Sequence, residues 1–518
     1  MNLKRQILTI MMLAIVLIAG AGVALAEKAV KTNLPSDPSQ LDPITISELY
    51  SGDVLDNVYE GFTGIDNEGK IVPALAERWE SKDDGKITTF YLRKGVKFHT
   101  GRDFTAKDVK YTFEQLLIPE NKGGLAAPYL HAVIGADAIL DGKSKELEGI
   151  KIIDDYTVEV HFKTPSVSFP IFPFRFMDSQ VVADHGNDWV GKVSAGTGPF
   201  KLIHFKRGQE VRLEANSAYW GEGPFVDAVI FRIVPELDTA LSMFETGELN
   251  LVTADRGSVR RVLKDSRFKD KLLTSPAAQV QYLAMNQNIY EPFKDIRVRE
   301  AISLAYDRNA VIKGLFDGAA YPLYGFVTPD FPGSNPDLQP IDYNPERAQK
   351  LMAEAGYPGG KGLPPLKISA TPSRKQELAY LADHYKKVLG LPIEIQTMER
   401  GSFIKAMNVG EIAMFPWGWT ADYADAASFL DDMYYSKSPY NRAKWANAEF
   451  DALIEKARVT GKESERYKLY NEAEQIMLKD WAVIPTTMRK QVAVKAPELK
   501  GVYLTSFRIR PFNTAKID

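Results

Sequence analysis

The side chains of this 518-residue chain that could do chemistry are dispersed, and none of the spacings that build a catalytic centre is present. There is no cysteine, which excludes a thiolate nucleophile, a disulfide and a thiolate metal site. The six histidines, His99, His131, His161, His185, His204 and His384, never fall three or four residues apart, the spacing at which a helix brings two imidazoles to one metal. No Gly-x-Ser-x-Gly elbow, His-Glu-x-x-His helix or phosphate-cradling glycine loop occurs. The nearest glycine cluster, Gly221-Glu222-Gly223-Pro224, has a proline where a phosphate loop needs N–H donors, and reads as a turn. Acid pairs such as Asp154-Asp155 and Asp431-Asp432 belong to any acidic surface. A binding protein, with no cofactor and no metal, is expected rather than an enzyme.

One run stands apart, Trp417-Gly418-Trp419-Thr420-Ala421-Asp422-Tyr423, which holds two of the chain's seven tryptophans and an acid three residues after the second. An indole offers apolar area with one N–H donor, suited to lining a pocket, although core packing is its commoner use. Asp422 can cap a helix that starts at Tyr423.

The elements around these residues alternate between strand and helix. Period-two patterns recur at Thr88 to Leu92, Ile150 to Phe162, Val211 to Leu213, Val229 to Ile233, Leu366 to Ile368 and Ile393 to Thr397. Helical periodicity marks Val54 to Phe62, Val298 to Phe316, Pro345 to Ala355, Gln376 to Leu389, Phe450 to Ala457 and Glu463 to Leu478. Thr105 is a plausible N-cap for a helix through Val109, Phe113 and Leu116, with Asp108 in its first turn. This is an α/β chain, without internal repeats.

The block Pro73 to Phe113 carries Pro-Ala-Leu-Ala-Glu-Arg-Trp-Glu, then Phe90-Tyr91-Leu92-Arg93-Lys94-Gly95-Val96-Lys97-Phe98, then Asp103-Phe104-Thr105-Ala106-Lys107-Asp108-Val109. It resembles the signature of the family 5 extracellular solute-binding proteins, the peptide- and nickel-binding receptors of bacterial ABC importers. Gly196-Thr197-Gly198-Pro199-Phe200, Asn216 with Tyr219-Trp220, Met285-Asn286-Gln287, Asp295-Ile296-Arg297-Val298-Arg299 and Ala353-Glu354-Ala355-Gly356-Tyr357 extend the likeness over nearly all of the chain.

The resemblance implies a two-lobed periplasmic-binding-protein fold of type II, cluster C, with an additional inserted domain. Lobe I would comprise residues 27–59, 181–285 and 486–518, the inserted domain 60–180 and lobe II 286–485, with hinge crossovers near Met285 and Pro485. In peptide-binding members the aspartate of a similar Trp-x-x-Asp segment receives the peptide's α-ammonium group, and Asp422 is the matching position. By the same pattern Trp419 faces the ligand; Trp417, suited to lining a side-chain pocket, and Tyr423 are further candidates. Ile44 to Tyr50, following Leu41-Asp42-Pro43, matches a segment that runs beside the bound peptide main chain to main chain, which makes Ser47 and Leu49 candidates. One departure is informative. Oligopeptide receptors can carry arginines shortly before the tryptophan to answer the ligand's carboxylate, and this chain has Ala413-Met414-Phe415-Pro416. Lys375, Arg400 and Lys405 could substitute.

Lys4 and Arg5 precede an uncharged apolar run, Ile7 to Ala26, which closes on Ala24-Leu25-Ala26, so 1–26 reads as a cleavable export signal, with an uncleaved anchor as the competing reading. Without Lys4 and Arg5 the balance is 62 basic against 67 acidic residues, a net charge of −5, which does not suggest nucleic acid. The absence of cysteine also removes the lipid-attachment residue by which many such receptors are tethered. The expectation is a free periplasmic monomer of some 490 residues that captures short peptides and presents them to the permease subunits of an ABC importer. The alternatives are the same role for a nickel chelate, a haem, an oligosaccharide or an opine-like conjugate, and more distantly a secreted hydrolase.

Overall fold

The computed structural model describes residues 27–46, 48–124, 126–254, 258–509 and 511–518; the expected signal at 1–26 and the candidate Ser47 lie outside the described residues. The alternating segments assemble into three principal sheets. In the first, Ala29–Leu34 runs parallel to Ala228–Ile233, followed by antiparallel Glu210–Ala215 and Phe200–Lys206. The second is the antiparallel sheet of the inserted segment, in the order Ala76–Lys82, Ile87–Leu92, Thr157–His161, Ile150–Asp154. The third has eight strands, six of them in the order Leu251–Thr253, Val483–Lys495, Gln279–Met285, Met414–Thr420, Leu366–Ala370, Ile393–Thr397. Leu272–Pro276 and Ala320–Pro322 also pair with Val483–Lys495.

That long strand changes partners along its length. Val483 to Thr487 face Gln279–Met285, whereas Lys490 to Val494 face Leu272–Pro276. Gln279–Met285 pairs from end to end with Met414–Thr420, so these two strands form the middle of one sheet. Both faces of the pair are covered, which explains the apolar run from Ala413 to Trp417. Val280, Tyr282, Ala284 and Phe415 enter one core, with Phe326, Phe403, Phe429 and Trp445. Leu283, Met285 and Met414 enter another, with Ile302, Leu381 and Ile484. A separate large core joins the first sheet to the inserted segment, through Phe62, Phe90, Phe113, Phe169, Phe200 and Phe231.

Several elements form for the reasons legible in the sequence. The Ala106–Leu117 helix opens on Thr105, whose backbone N–H and hydroxyl both donate to Asp108 (2.9 and 3.1 Å). Asp108 is buried because Arg102 bridges it to Asp178. The Gly196–Phe200 and Tyr219-Trp220 stations meet at one half-buried carboxylate, Glu60, which accepts from the Thr197 hydroxyl, the Tyr219 hydroxyl and the Trp220 indole at 2.8, 2.9 and 2.9 Å.

Other expectations are corrected. Val298 to Phe316 is two helices, Ile296–Leu304 and Arg308–Leu315, because Asp307 caps the second by accepting from the Ala310 N–H. Ile150 to Phe162 is a hairpin rather than one strand. The helix at Val54 is only Leu49–Leu55; Val58 and Phe62 are buried beyond its end.

Candidate functional site

The pairing register decides where the tryptophans point. Trp417 lies opposite Tyr282 and Trp419 opposite Val280, so both indoles share the face of the sheet that Phe415 occupies deeper in. Gly418 between them presents its bare Cα to the other face, where a Cβ would stand 2.1 Å from Nε2 of Gln281. Arg374 lies on that other face, donating to Gln281 (2.6 Å) and paired with Glu377 (2.9 Å).

Trp417 and Trp419 are half-buried. The Trp417 ring is 5.7 Å from Phe403 and the Trp419 ring 5.2 Å from Tyr440, which is 45% exposed. The indole N–H of Trp419 is buried without a partner. Trp419 therefore combines an aromatic wall with an unused donor, in keeping with a ligand-facing indole.

Asp422 follows at the end of the strand. Its backbone N–H donates to the Ser428 hydroxyl (3.1 Å), and no ion pair to its carboxylate is formed among the described residues. The side chain is solvent-accessible, yet burial alone raises its pKa. The carboxylate is open to water on one side and packed against protein on the others. It is not a helix cap: the helix here is Ala427–Tyr434, and Asp425 accepts from the Ala427 N–H (2.9 Å). Asp425 also forms a buried ion pair with Arg466 (2.6 Å), which binds this loop to the Glu463–Lys479 helix.

Tyr423 is buried, and its ring meets two aromatic residues of the inserted segment edge-on, Phe172 at 4.9 Å and Tyr129 at 5.8 Å. Those two stack on each other at 4.2 Å. The hydroxyl of Tyr423 bonds to Asp432, whose carboxyl is held well above its usual range by burial, with Asp431 and Asp422 nearby. Burial also raises the Tyr129 phenol, with the charges of Asp422, Asp432 and nearby Tyr440 adding to the effect. Tyr129, Asp422, Asp432 and Tyr440 thus border one region, in which the inserted segment meets the sheet of Trp419. Sequence reasoning missed Tyr129, Phe172, Asp432 and Tyr440; the aromatic content of Ile171 to Phe176 was the available signal.

The N-terminal segment is placed differently. Leu49 is the first residue of a helix capped by Glu48, which accepts from the Tyr50 and Ser51 N–H groups (2.6 and 2.8 Å). Just before it the chain is pressed against the inserted segment, where a Cβ on Gly124 would stand 1.8 Å from the Ile46 carbonyl oxygen. Of the segment Ile44 to Tyr50, only Leu49 and Tyr50 lie in this helix. Lys375, Arg400 and Lys405 are all exposed. Among the described residues, no group of three or more His, Asp or Glu side chains could hold a metal.

Comparison with known proteins gives this geometry its context. Residues 70–441 match the model of the bacterial extracellular solute-binding proteins, family 5. The chain is 29% identical to Heme-binding protein A of Haemophilus influenzae over 86% of its own length and 84% of the relative's. It is 28% identical to the Dipeptide-binding protein of Escherichia coli over 79% of each. The unliganded open form of the murein tripeptide binding protein MppA superposes with a TM-score of 0.85 at 23% identity, covering 95% of this chain and 98% of that one, and carries the same two-lobed fold. With the family model spanning most of its length, the chain belongs to the family 5 bacterial extracellular solute-binding proteins, the substrate-binding components of ABC importers.

Proposed function

We propose that this protein is an exported, monomeric periplasmic receptor that captures short peptides between its lobes by the free amine and delivers them, chemically unchanged, to an ABC permease. The observation that carries this reading is the Asp422 carboxyl, its pKa raised by desolvation and with no cation beside it among the described residues, next to the unused N–H of Trp419. An ammonium group there would form a charge-assisted bond as closure excludes water. Similarity to the dipeptide-binding protein of Escherichia coli supports a peptide ligand. Strand pairing supports drawing the hinge where the sheet changes partners, at Ala277-Ala278 and Arg489-Lys490, instead of at Met285 and Pro485. Lobe I would then be 27–59, 181–276 and 490–518, the inserted domain 60–180, and lobe II 279–489. The segment 1–26 is taken as the cleaved export signal.

Calorimetric titration with trialanine and N-acetyl-trialanine tests the reading. Tight binding of the free amine and at least tenfold weaker binding of the acetylated peptide are expected; equal binding would refute the amine anchor. The similarity to a haem-binding relative favours a second reading in which the same receptor carries a non-peptide ligand. A Soret-band titration showing saturable haem uptake, with no heat from peptides, would establish it.

A further inference from the structure

The inserted segment meets its two neighbours in chemically opposite ways. Toward lobe I the contacts include directional hydrogen bonds. Glu60 accepts from Thr197, Tyr219 and Trp220, the His99 ring bonds to the Ser194 hydroxyl (2.8 Å) and the Gly198 carbonyl (2.9 Å), and Arg175 donates to Asp56 (2.6 and 3.0 Å). Toward lobe II, residues 279–489, no hydrogen bond or ion pair leaves residues 60–180 among the described residues.

What joins the segment to lobe II is apolar contact. Tyr129 and Phe172, stacked on each other, pack at once on the core shared by lobe I and the inserted segment and on the core of lobe II. They meet Tyr423 edge-on at 5.8 and 4.9 Å, inside the broad range over which aromatic edges and faces attract. A second contact lies at buried Gly85, where an added Cβ would stand 3.6 Å from the Arg458 carbonyl oxygen. Both receiving points are braced inside lobe II by adjacent acids of the Ala427–Tyr434 helix. Asp432 bonds to the Tyr423 hydroxyl, and Asp431 pairs with Arg458 (2.6 Å). Dispersion and apolar burial have no preferred direction, so this contact can turn through a small angle without breaking a bond; the three donors on Glu60 allow no such turn. The rings also lie close to the hinge, because the Ala421 N–H, two residues before Tyr423, donates to the carbonyl of Ala278 at the strand crossover (2.9 Å). Rotation displaces atoms least where they are nearest its axis.

We propose that the inserted segment is a bearing for closure: Tyr129, Phe172 and Gly85 stay seated on lobe II while it turns toward lobe I, and give the two hinge strands a non-covalent support. Tyr423 immediately follows Asp422, so the bearing also fixes the path along which that carboxylate travels. The inference rests on the receptor reading for the closing motion, but not for the seating of the segment, which the protein reports without any ligand.

Tethering tests it, and the absence of native cysteine makes the chemistry selective. Lys86 and Val459 are exposed and flank the contact between Gly85 and Arg458. The variant K86C/V459C, treated with a short bis-maleimide, should form one internal cross-link in the ligand-free protein and keep its small-angle scattering curve. The tethered protein should bind trialanine within threefold of the untethered variant. F172A in the same variant should slow cross-linking at least threefold, because the ring that touches both cores is gone. No cross-link, a changed radius of gyration, a tenfold loss of affinity on tethering, or an unchanged cross-linking rate with F172A would each overturn the bearing. Binding of trialanine by neither form overturns the peptide reading alone, and the cross-linking rates and scattering then decide the bearing.

Discussion

Asp422→Asn is the sharpest perturbation of the amine anchor, because it keeps shape and one acceptor oxygen and removes only the charge. A hydrogen bond to a charged group contributes about 1.5 to 3 kcal/mol net, and breaking a fully buried pair costs about 3 to 5 kcal/mol. Asp422 lies between these cases, solvent-accessible in this conformation and desolvated further only when the lobes close. The expected loss is therefore about 2 to 3 kcal/mol, or roughly 30- to 150-fold in Kd. A cycle of wild type and D422N against trialanine and N-acetyl-trialanine isolates the pair by calorimetry. If carboxylate and ammonium meet, removing both groups should cost little more than removing either, giving a coupling of about 2 kcal/mol. Proton linkage gives an independent check with a definite sign. Protonation of Asp422 competes with the ammonium, so wild-type affinity should fall as pH drops through its raised carboxyl range, while D422N stays flat there. Additive losses in the cycle, or a pH profile shared by both proteins, would refute the anchor.

Three further outcomes concern stability. Glu474 is fully buried, with Oε1 accepting from the Phe326 and Val327 N–H groups (2.7 and 2.9 Å) and Oε2 unpartnered, and burial raises its pKa from 4.5 to about 7. The folded state then binds the extra proton between those values, so its stabilisation is complete below pH 4.5 and is lost towards pH 7, by about 3 kcal/mol in all. E474Q should therefore gain melting temperature relative to wild type at pH 7.5 and lose that advantage at pH 4.5. D425A strands the buried Arg466 and removes the acceptor of the Ala427 N–H, and should cost about 3 to 5 kcal/mol by urea denaturation. G124A drives a methyl group into the Ile46 carbonyl and should lower the melting temperature by several degrees, whereas G142A, with nothing within 4 Å of its Cβ, should shift it far less despite its positive φ.

The family and the alternation of elements were legible because they depend on local order. The Thr105 cap, the Thr88-to-Leu92 strand and the Glu463-to-Leu478 helix each rest on contacts within a few residues, where side-chain period and capping chemistry operate. Helix breaks were less legible: Val298 to Phe316 keeps its apolar period across the Asp307 cap, so periodicity runs through a boundary that one carboxylate sets. At Leu49 the Glu48 carboxylate starts a helix that the apolar period alone places from Val54 onward.

The sequence by itself determined which chemistry is missing, the α/β class, the family, and the one acid beside two tryptophans where an amine can be held. The tertiary structure alone decided what surrounds that acid. Whether Asp422 has a cation, what covers Trp417 and Trp419, and whether Tyr423 is committed to Phe172 and Tyr129 depend on residues far away along the chain, Tyr129 lying 294 positions before Tyr423. Charge compensation acts through space over a few ångströms, and the distance along the chain does not enter it. Phe172 looks like any core phenylalanine in the sequence; only its place against two cores at once distinguishes it.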